Sequence, residues 1–248
     1  NSTVSCCEVL NNLIFPFHEQ HHNSSFLIAS TVMGQSNIAS GATIGSNHNS
    51  RSPDGEIFAK RGFWPGLCSD FKHNSRFASF VLVSKGSYQY ELDIPYPFAL
   101  VSPPHSETQA IQIIPAWLFM YDMFAITRNG GKFKKRDKRK PKIQNIEFDP
   151  LAPDTMQEIL FALDRIIGLT AVYLKKHHKG LKLYVCGTQS LKEELRREGF
   201  FVTENLDEVE CIVMGFDSEL TFKKLEDVSK LLCTRPDILY IATNPDYV

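Results

Sequence analysis

The tetrapeptide His48-Asn49-Ser50-Arg51 recurs unchanged as His73-Asn74-Ser75-Arg76. Asn, Ser and Arg side chains donate hydrogen bonds to phosphate, carboxylate or carbonyl oxygens, and a neutral imidazole can take a proton from a hydroxyl. His48 and His73 are therefore candidate general bases, and Asn49, Arg51, Asn74 and Arg76 are candidate substrate-binding residues. For Asn and Ser an equal reading is a corner fixed by a side chain bonded to nearby backbone. The repetition is expected to place the two copies on successive turns of a coil. Asn244 and Asp246 follow the last expected strand, where ligand loops of parallel sheets usually sit. Asn244-Pro245-Asp246 reads equally well as a turn. His18, His21 and His22 cluster, but without regular spacing or a partnering acidic pair they read as surface histidines, and no metal site is expected.

These residues need elements to hold them. Val32, Ile38 and Ile44 recur every six residues, with Ala29, Ser30, Gly34, Ala39, Ser40, Gly41 and Ala42 between them. Six is neither a helical nor a simple strand period. It suits a parallel β-helix, in which each six-residue side sends one aliphatic residue inward and small residues let the chain turn at the corners. Phe80-Val81-Leu82-Val83 and Ile111-Gln112-Ile113-Ile114 read as buried strands. Pro95, Pro97, Pro103 and Pro104 punctuate the segment between them. Trp117, Met120, Tyr121 and Phe124 have a helical spacing and are expected to pack inward. Asn129-Gly130-Gly131 is expected to end that helix.

Residues 4–165 resemble part of a family of long, uncharacterised bacterial proteins with a left-handed β-helix of the hexapeptide-transferase type. The resemblance is carried by Ile44-Gly45-Ser46-Asn47-His48-Asn49-Ser50-Arg51, Gly62-Phe63-Trp64-Pro65-Gly66, Lys72-His73-Asn74-Ser75-Arg76-Phe77-Ala78-Ser79 and Phe148-Asp149-Pro150-Leu151-Ala152-Pro153-Asp154. It implies a β-helical scaffold, a homo-trimer formed through it, and sites between neighbouring coils with histidine as base. The wider group holds acyl- and sugar-transferases, so this implication is an analogy of fold.

From Lys132 to Lys142, eight of eleven residues are basic. Such a run can hold phosphates by point charge, but only Phe133 supplies an aromatic, so it lacks a stacking platform for single strands. It reads first as a solvated face. Pro153 and Thr155-x-x-Glu158 then announce a helix through a capping box. Ile159, Leu160, Leu163, Ile166 and Ile167 make an apolar stripe, which Ala171, Val172 and Tyr173 resume beyond Gly168. Either one helix of about 24 residues runs through Gly168 or two helices meet there.

From Leu181 strands and helices alternate, as in a mainly parallel sheet with helices on its faces. Strands are expected at Leu181–Cys186, Phe200–Thr203, Cys211–Phe216 and Ile238–Ala242. One helix is capped at Ser190-Leu191-Lys192-Glu193. A second, Thr221–Cys233, turns Phe222, Leu225, Val228, Leu231 and Leu232 inward. Residues 170–248 resemble the cap domain of haloacid-dehalogenase-type phosphatases, in the branch containing phosphoglycolate and p-nitrophenyl phosphatases. The resemblance rests on Tyr184-Val185-Cys186-Gly187, Leu191 through Gly199, Val213-Met214-Gly215-Phe216-Asp217, Leu220-Thr221-Phe222-Lys223-Lys224-Leu225 and Ile241-Ala242-Thr243-Asn244-Pro245-Asp246. That family uses an Asp-x-Asp nucleophile motif and Mg. The chain has no Asp-x-Asp, so Mg would be needed only if the missing phosphatase core were supplied.

The fold class expected is α+β: a partial left-handed parallel β-helix with a β-rich extension (1–153), a bridging helix or helices (154–180) and a small α/β parallel-sheet unit (181–248). The two resemblances fade near Gly168, as in a join of two partial family segments, and a chain beginning at Asn1 is expected to be trimmed or part of something longer. Among 248 residues, 27 basic and 28 acidic groups leave a net charge of -1, which argues against a nucleic-acid binder. The balance conceals +3 in residues 1–178 and -4 in residues 179–248. No run is apolar enough to span a bilayer. Scattered cysteines without a Cys-x-x-Cys point to a reducing cytoplasm, with Cys186 and Cys211 as small hydrophobes. The functional expectation is a β-helical, transferase-like scaffold joined to a phosphatase-cap-like segment, with no cofactor visible and no complete catalytic site. A small anionic ligand is the partner expected. The alternatives are an acyl- or sugar-transferase with a histidine base, or a phosphatase fragment acting on small phosphate esters.

Overall fold

Residues that recur every six positions can all face one interior only if the chain turns a corner every six, and it does. In the computed structural model, which describes residues 1–45, 56–71, 74–104, 110–215, 217 and 219–243, short strands follow one another around three faces. They are β1 (Thr3–Val4), β2 (Cys7–Leu10), β3 (Leu13–Ile14), β4 (Glu19–Gln20), β5 (Ser25–Ile28), β6 (Ser30–Val32), β7 (Thr43–Ile44), β8 (Ile57–Ala59), β9 (Trp64–Pro65), β10 (Asp70–Phe71), β11 (Arg76–Phe77), β12 (Leu82–Val83), β13 (Ser87–Tyr88), β14 (Asp93–Ile94) and β15 (Leu100–Ser102).

Three parallel ladders collect these strands in rotation. One runs β13-β10-β7-β5-β2, a second β14-β11-β8-β6-β3, and the third joins β9, β12 and β15, with β1 pairing β4 earlier in the chain. Register partners such as Glu8↔Phe26 and Trp64↔Leu82 show that one round takes three sides of the six-position period. One round is longer, pairing Thr43 with Asp70 and Thr31 with Phe58.

Most of the interior is apolar, though His18, Gln20, Ser25 and Ser36 are also buried. Val32, Ile38 and Ile44 are fully buried, and Ile57, Phe63, Phe71, Phe77 and Val83 continue the column. Phe71 stacks on Tyr88 with centroids 5.1 Å apart.

Ala29, Gly34 and Gly41 take left-handed backbone, as expected of small residues at corners, but the corners as a whole are more varied. Many are non-glycine residues in the left-handed region, including Phe17, Gln35, Cys68, Asn74, Phe80 and Phe98. Phe80 and Phe98 occupy the same corner one round apart and stack face to face, centroids 4.9 Å apart. Aromatic stacking between rounds offsets a backbone conformation that costs a non-glycine residue roughly 1–2 kcal/mol. Gly62 stands next to that stack. A Cβ on it would drive into the Phe80 ring, and its φ is +73°, so here glycine is required.

β16 (Gln112–Ile114) pairs antiparallel with β15. It is only half-buried, unlike the buried strand expected. Helices α1 (Trp117–Tyr121) and α2 (Met123–Arg136) follow. Leu118 and Ile126 pack with Phe98, while Tyr121 and Phe124 are exposed rather than inward. Asn129-Gly130-Gly131 does not end α2. Added Cβ atoms at Gly130 and Gly131 would meet no crowding. The helix beyond them is held by Phe133 against Phe17, and by Lys132 and Arg136 against the buried Glu19 carboxylate.

Helix α3 (Pro153–His177) is continuous through Gly168. The capping box does not form. Thr155 lies inside the first turn, and its hydroxyl donates to Pro150 O and Ala152 O. Val172 and Tyr173 are exposed, whereas Ala171 and Leu174 are buried. The chain divides within this helix into two units, Asn1–Ala162 and Leu163–Val248.

The second unit contains β17 (Lys182–Cys186), α4 (Gln189–Arg197), β18 (Phe201–Val202), β19 (Cys211–Met214), α5 (Phe222–Thr234) and β20 (Leu239–Ala242). Its sheet is parallel, in the order β18-β17-β19-β20. Strand alternation divides its core. Leu183, Val185, Cys211 and Val213 pack with Ala171, Leu174, Leu191 and Leu195 on one face. Tyr184, Cys186 and Ile212 pack with Val228 and Leu231 of α5 on the other. Thr188 and Thr221 cap α4 and α5, so the cap of α4 precedes the expected Ser190. Phe222, Leu225 and Leu232 are exposed, not inward. Among the described residues, no helix is long and apolar enough to cross a membrane.

Candidate functional site

Of the candidate residues, His48, Asn49, Arg51, His73, Asn244 and Asp246 lie outside the described residues. Asn74 is exposed at a left-handed corner, φ 63°, which is the corner role open to Asn. Ser75 is buried, and its hydroxyl accepts the Leu92 backbone N–H at 3.0 Å. The interval between the two tetrapeptides is not the period of this coil. One round before Arg76, the register partner is Phe58.

Arg76 lines a groove of about 430 Å³ on the first unit. One wall is the outer face of the second ladder, where Phe58, Arg76 and Asp93 are consecutive register partners. All three are exposed, while their strand neighbours Ala59, Phe77 and Ile94 are buried in the core, as strand alternation requires. The other wall is the start of α3, with Asp154, Gln157, Glu158 and Phe161.

Two ion pairs hold that wall. Glu158, only 8% exposed, pairs with Lys60 and accepts the Ser79 backbone N–H at 2.8 Å. The Arg61 fork grips Asp154 through two bonds of 2.8 Å and also donates to Asp149 O at 3.2 Å. Burial works against the Asp154 charge, but the Arg61 fork outweighs it and holds the carboxyl below its ordinary range. With those groups paired, the groove keeps an exposed Arg76 and an exposed Asp93 among Phe58, Phe161 and Pro95. Such a fork receives carboxylate or phosphate oxygens two at a time.

Sequence reasoning singled out Arg76 but missed Lys60, Phe58, Phe161 and Asp93, and gave Glu158 a capping role. The signal for Phe58 and Lys60 was present in the alternation Ile57-Phe58-Ala59-Lys60. Phe161 and Glu158 come from α3, far along the chain, and no local pattern joins them to the ladder.

His18 is a correction. It is fully buried, unlike a surface histidine. Its Nδ1 lies 2.8 Å from Ser36 Oγ and its Nε2 lies 3.1 Å from Gln20 Oε1. The Gln20 carbonyl oxygen needs a donor, so Nε2 carries the proton and Nδ1 accepts from Ser36. This pairing resembles an activated serine, but both side chains are fully buried. We assign it to holding the coil.

Half of the basic run is also paired with acids. Besides the two cations on Glu19, Arg139 and Lys142 pair with Asp137. The Arg139 hydrogen bonds hold that carboxyl well below its ordinary value. A second hollow, in the second unit, is lined by Lys175, Lys176, Lys179, Val172 and Phe201. Lys175 is paired with Glu198, and all three lysines sit at or just beyond the α3 C-terminus, where cations are favoured without a ligand. At the strand ends of the second unit, Lys224 pairs with Asp217 at 2.8 Å and donates to Gly187 O at 3.1 Å. Among the described residues, no group of three or more His, Cys, Asp or Glu is placed to hold a metal.

No family model matches the chain. It is similar to an uncharacterized protein of Treponema pallidum (strain Nichols), 61% identical over 162 residues, which is 65% of this chain. The match spans only 22% of that protein. No solved structure matches.

Proposed function

We propose that the first unit is a left-handed parallel β-helix of the hexapeptide-transferase type, serving as a scaffold that binds a small anion at Arg76. The six-position interior period, the three-face rotation and the parallel register from round to round support the scaffold. The observation that carries the binding reading is the groove itself: an exposed guanidinium beside Phe58 and Phe161, with Glu158 and Asp154 already paired with Lys60 and Arg61 and Asp93 left, among the described residues, as the unpaired acid of the lining. The second unit, with its β18-β17-β19-β20 parallel sheet, is read as a phosphatase-cap-like segment.

The test is calorimetric titration of the 248-residue chain with 3-phenylpropionate, an anion with an apolar body. We expect saturable binding that Arg76→Gln weakens on the order of tenfold or more. Equal binding by both proteins, or none by either, would refute the reading.

A further inference from the structure

We propose that the groove receives a zwitterion, specifically an α-amino acid with an apolar or aromatic side chain. The proposal rests on the anion-binding reading and adds a second pole to it. Arg76 and Asp93 are register partners on adjacent strands, β11 and β14. Both side chains are exposed and line the groove. Among the described residues, they do not form an ion pair with each other within 4.0 Å, and neither pairs with another residue. The remaining charged residues of the groove are engaged, Lys60 with Glu158 and Asp154 with Arg61.

The groove therefore offers one cation and one anion about 4.8 Å apart in backbone position, the usual spacing of neighbouring strands. A phosphate ester or dicarboxylate would meet Asp93 as a like charge. A simple monocarboxylate would satisfy Arg76 and bind, but more weakly, with Asp93 left as a like charge. An α-amino acid carries its carboxylate and ammonium on one carbon and can answer both. Its side chain would then lie against Phe58, Phe161 and Pro95. The groove volume of about 430 Å³ falls within the range of small-molecule pockets and leaves room for an aromatic side chain.

The experiment compares L-phenylalanine with 3-phenylpropionate, which lacks the ammonium, and 2-phenylethylamine, which lacks the carboxylate. Each is titrated into the wild-type chain, Asp93→Asn and Arg76→Gln. We expect wild type to bind L-phenylalanine most tightly. Asp93→Asn should weaken L-phenylalanine on the order of tenfold while binding 3-phenylpropionate as well as or better than wild type. Arg76→Gln should weaken both acids. If wild type binds 3-phenylpropionate as tightly as L-phenylalanine, or Asp93→Asn leaves L-phenylalanine unchanged, the zwitterion proposal fails while the anion reading stands. If neither acid binds wild type, both fail.

Discussion

The Glu158 carboxylate, on the second turn of α3, accepts the backbone N–H of Ser79 at 2.8 Å while pairing with Lys60. The two residues are 79 positions apart. Through this bond a helix that begins at Pro153 becomes one wall of the groove. Removing the charge leaves a buried backbone donor less well satisfied and frees Lys60. Glu158→Gln should lower the stability of the first unit by about 1–3 kcal/mol. A urea midpoint indistinguishable from wild type would show that the wall is held by other contacts.

Gly62 should tolerate no side chain. An added Cβ would drive into the Phe80 ring, and the backbone is left-handed. Gly62→Ala should cost about 1–3 kcal/mol and disturb the Phe80–Phe98 stack. Near-ultraviolet circular dichroism and the thermal midpoint report both effects. An unchanged midpoint would mean that the ring moves aside freely.

His18 should give the first unit a pH-dependent stability. Burial lowers its pKa from 6.5, outweighing the hydrogen bond to Gln20 and the nearby Glu19 charge. The unfolded chain takes up the proton at about pH 6.5 and the folded chain only at lower pH. Below about 6.5 the unfolded state thus holds more protons, so stability is full above that value and is lost as pH falls through the folded pKa. Urea midpoints measured from pH 7.5 down to pH 5 should decline, and His18→Gln should flatten the decline. The same slope in the variant would assign the effect to other groups.

Glu19 should govern whether α2 stays docked. It is 7% exposed and pairs with Lys132 at 2.5 Å and with Arg136. Glu19→Gln should release the C-terminal half of α2 and speed tryptic cleavage between Arg128 and Lys142 by about tenfold, since local opening governs access. An unchanged cleavage rate would leave Phe133, packed on Phe17, as the sufficient anchor.

What the sequence made legible was periodic. Val32, Ile38 and Ile44 announced the buried column because an interior lined at every sixth position leaves that trace. The apolar run ending at Cys186 announced a strand buried on both faces. Less legible was anything decided between distant segments. Some corners hold Phe80 and Phe98 beside the small residues at Ala29, Gly34 and Gly41, since stacking between rounds offsets the left-handed backbone. His18 looked like one of three surface histidines because Ser36, its buried partner, stands one round of the coil away. Glu158 looked like half of a capping box because Ser79 and Lys60 are remote in sequence. The repeated tetrapeptide misled, since the true register links Arg76 to Phe58. The groove was visible only in Arg76, because its second wall comes from α3.

The central claim is that a small anion binds at Arg76 in the groove. Nitrogen-15 NMR of the labelled chain, titrated with 3-phenylpropionate, tests it most directly. Saturable shift changes should centre on Phe58, Arg76, Ile94 and Phe161 and vanish in Arg76→Gln. Changes centred on Lys175, Lys176 and Lys179, or none at all, would contradict it.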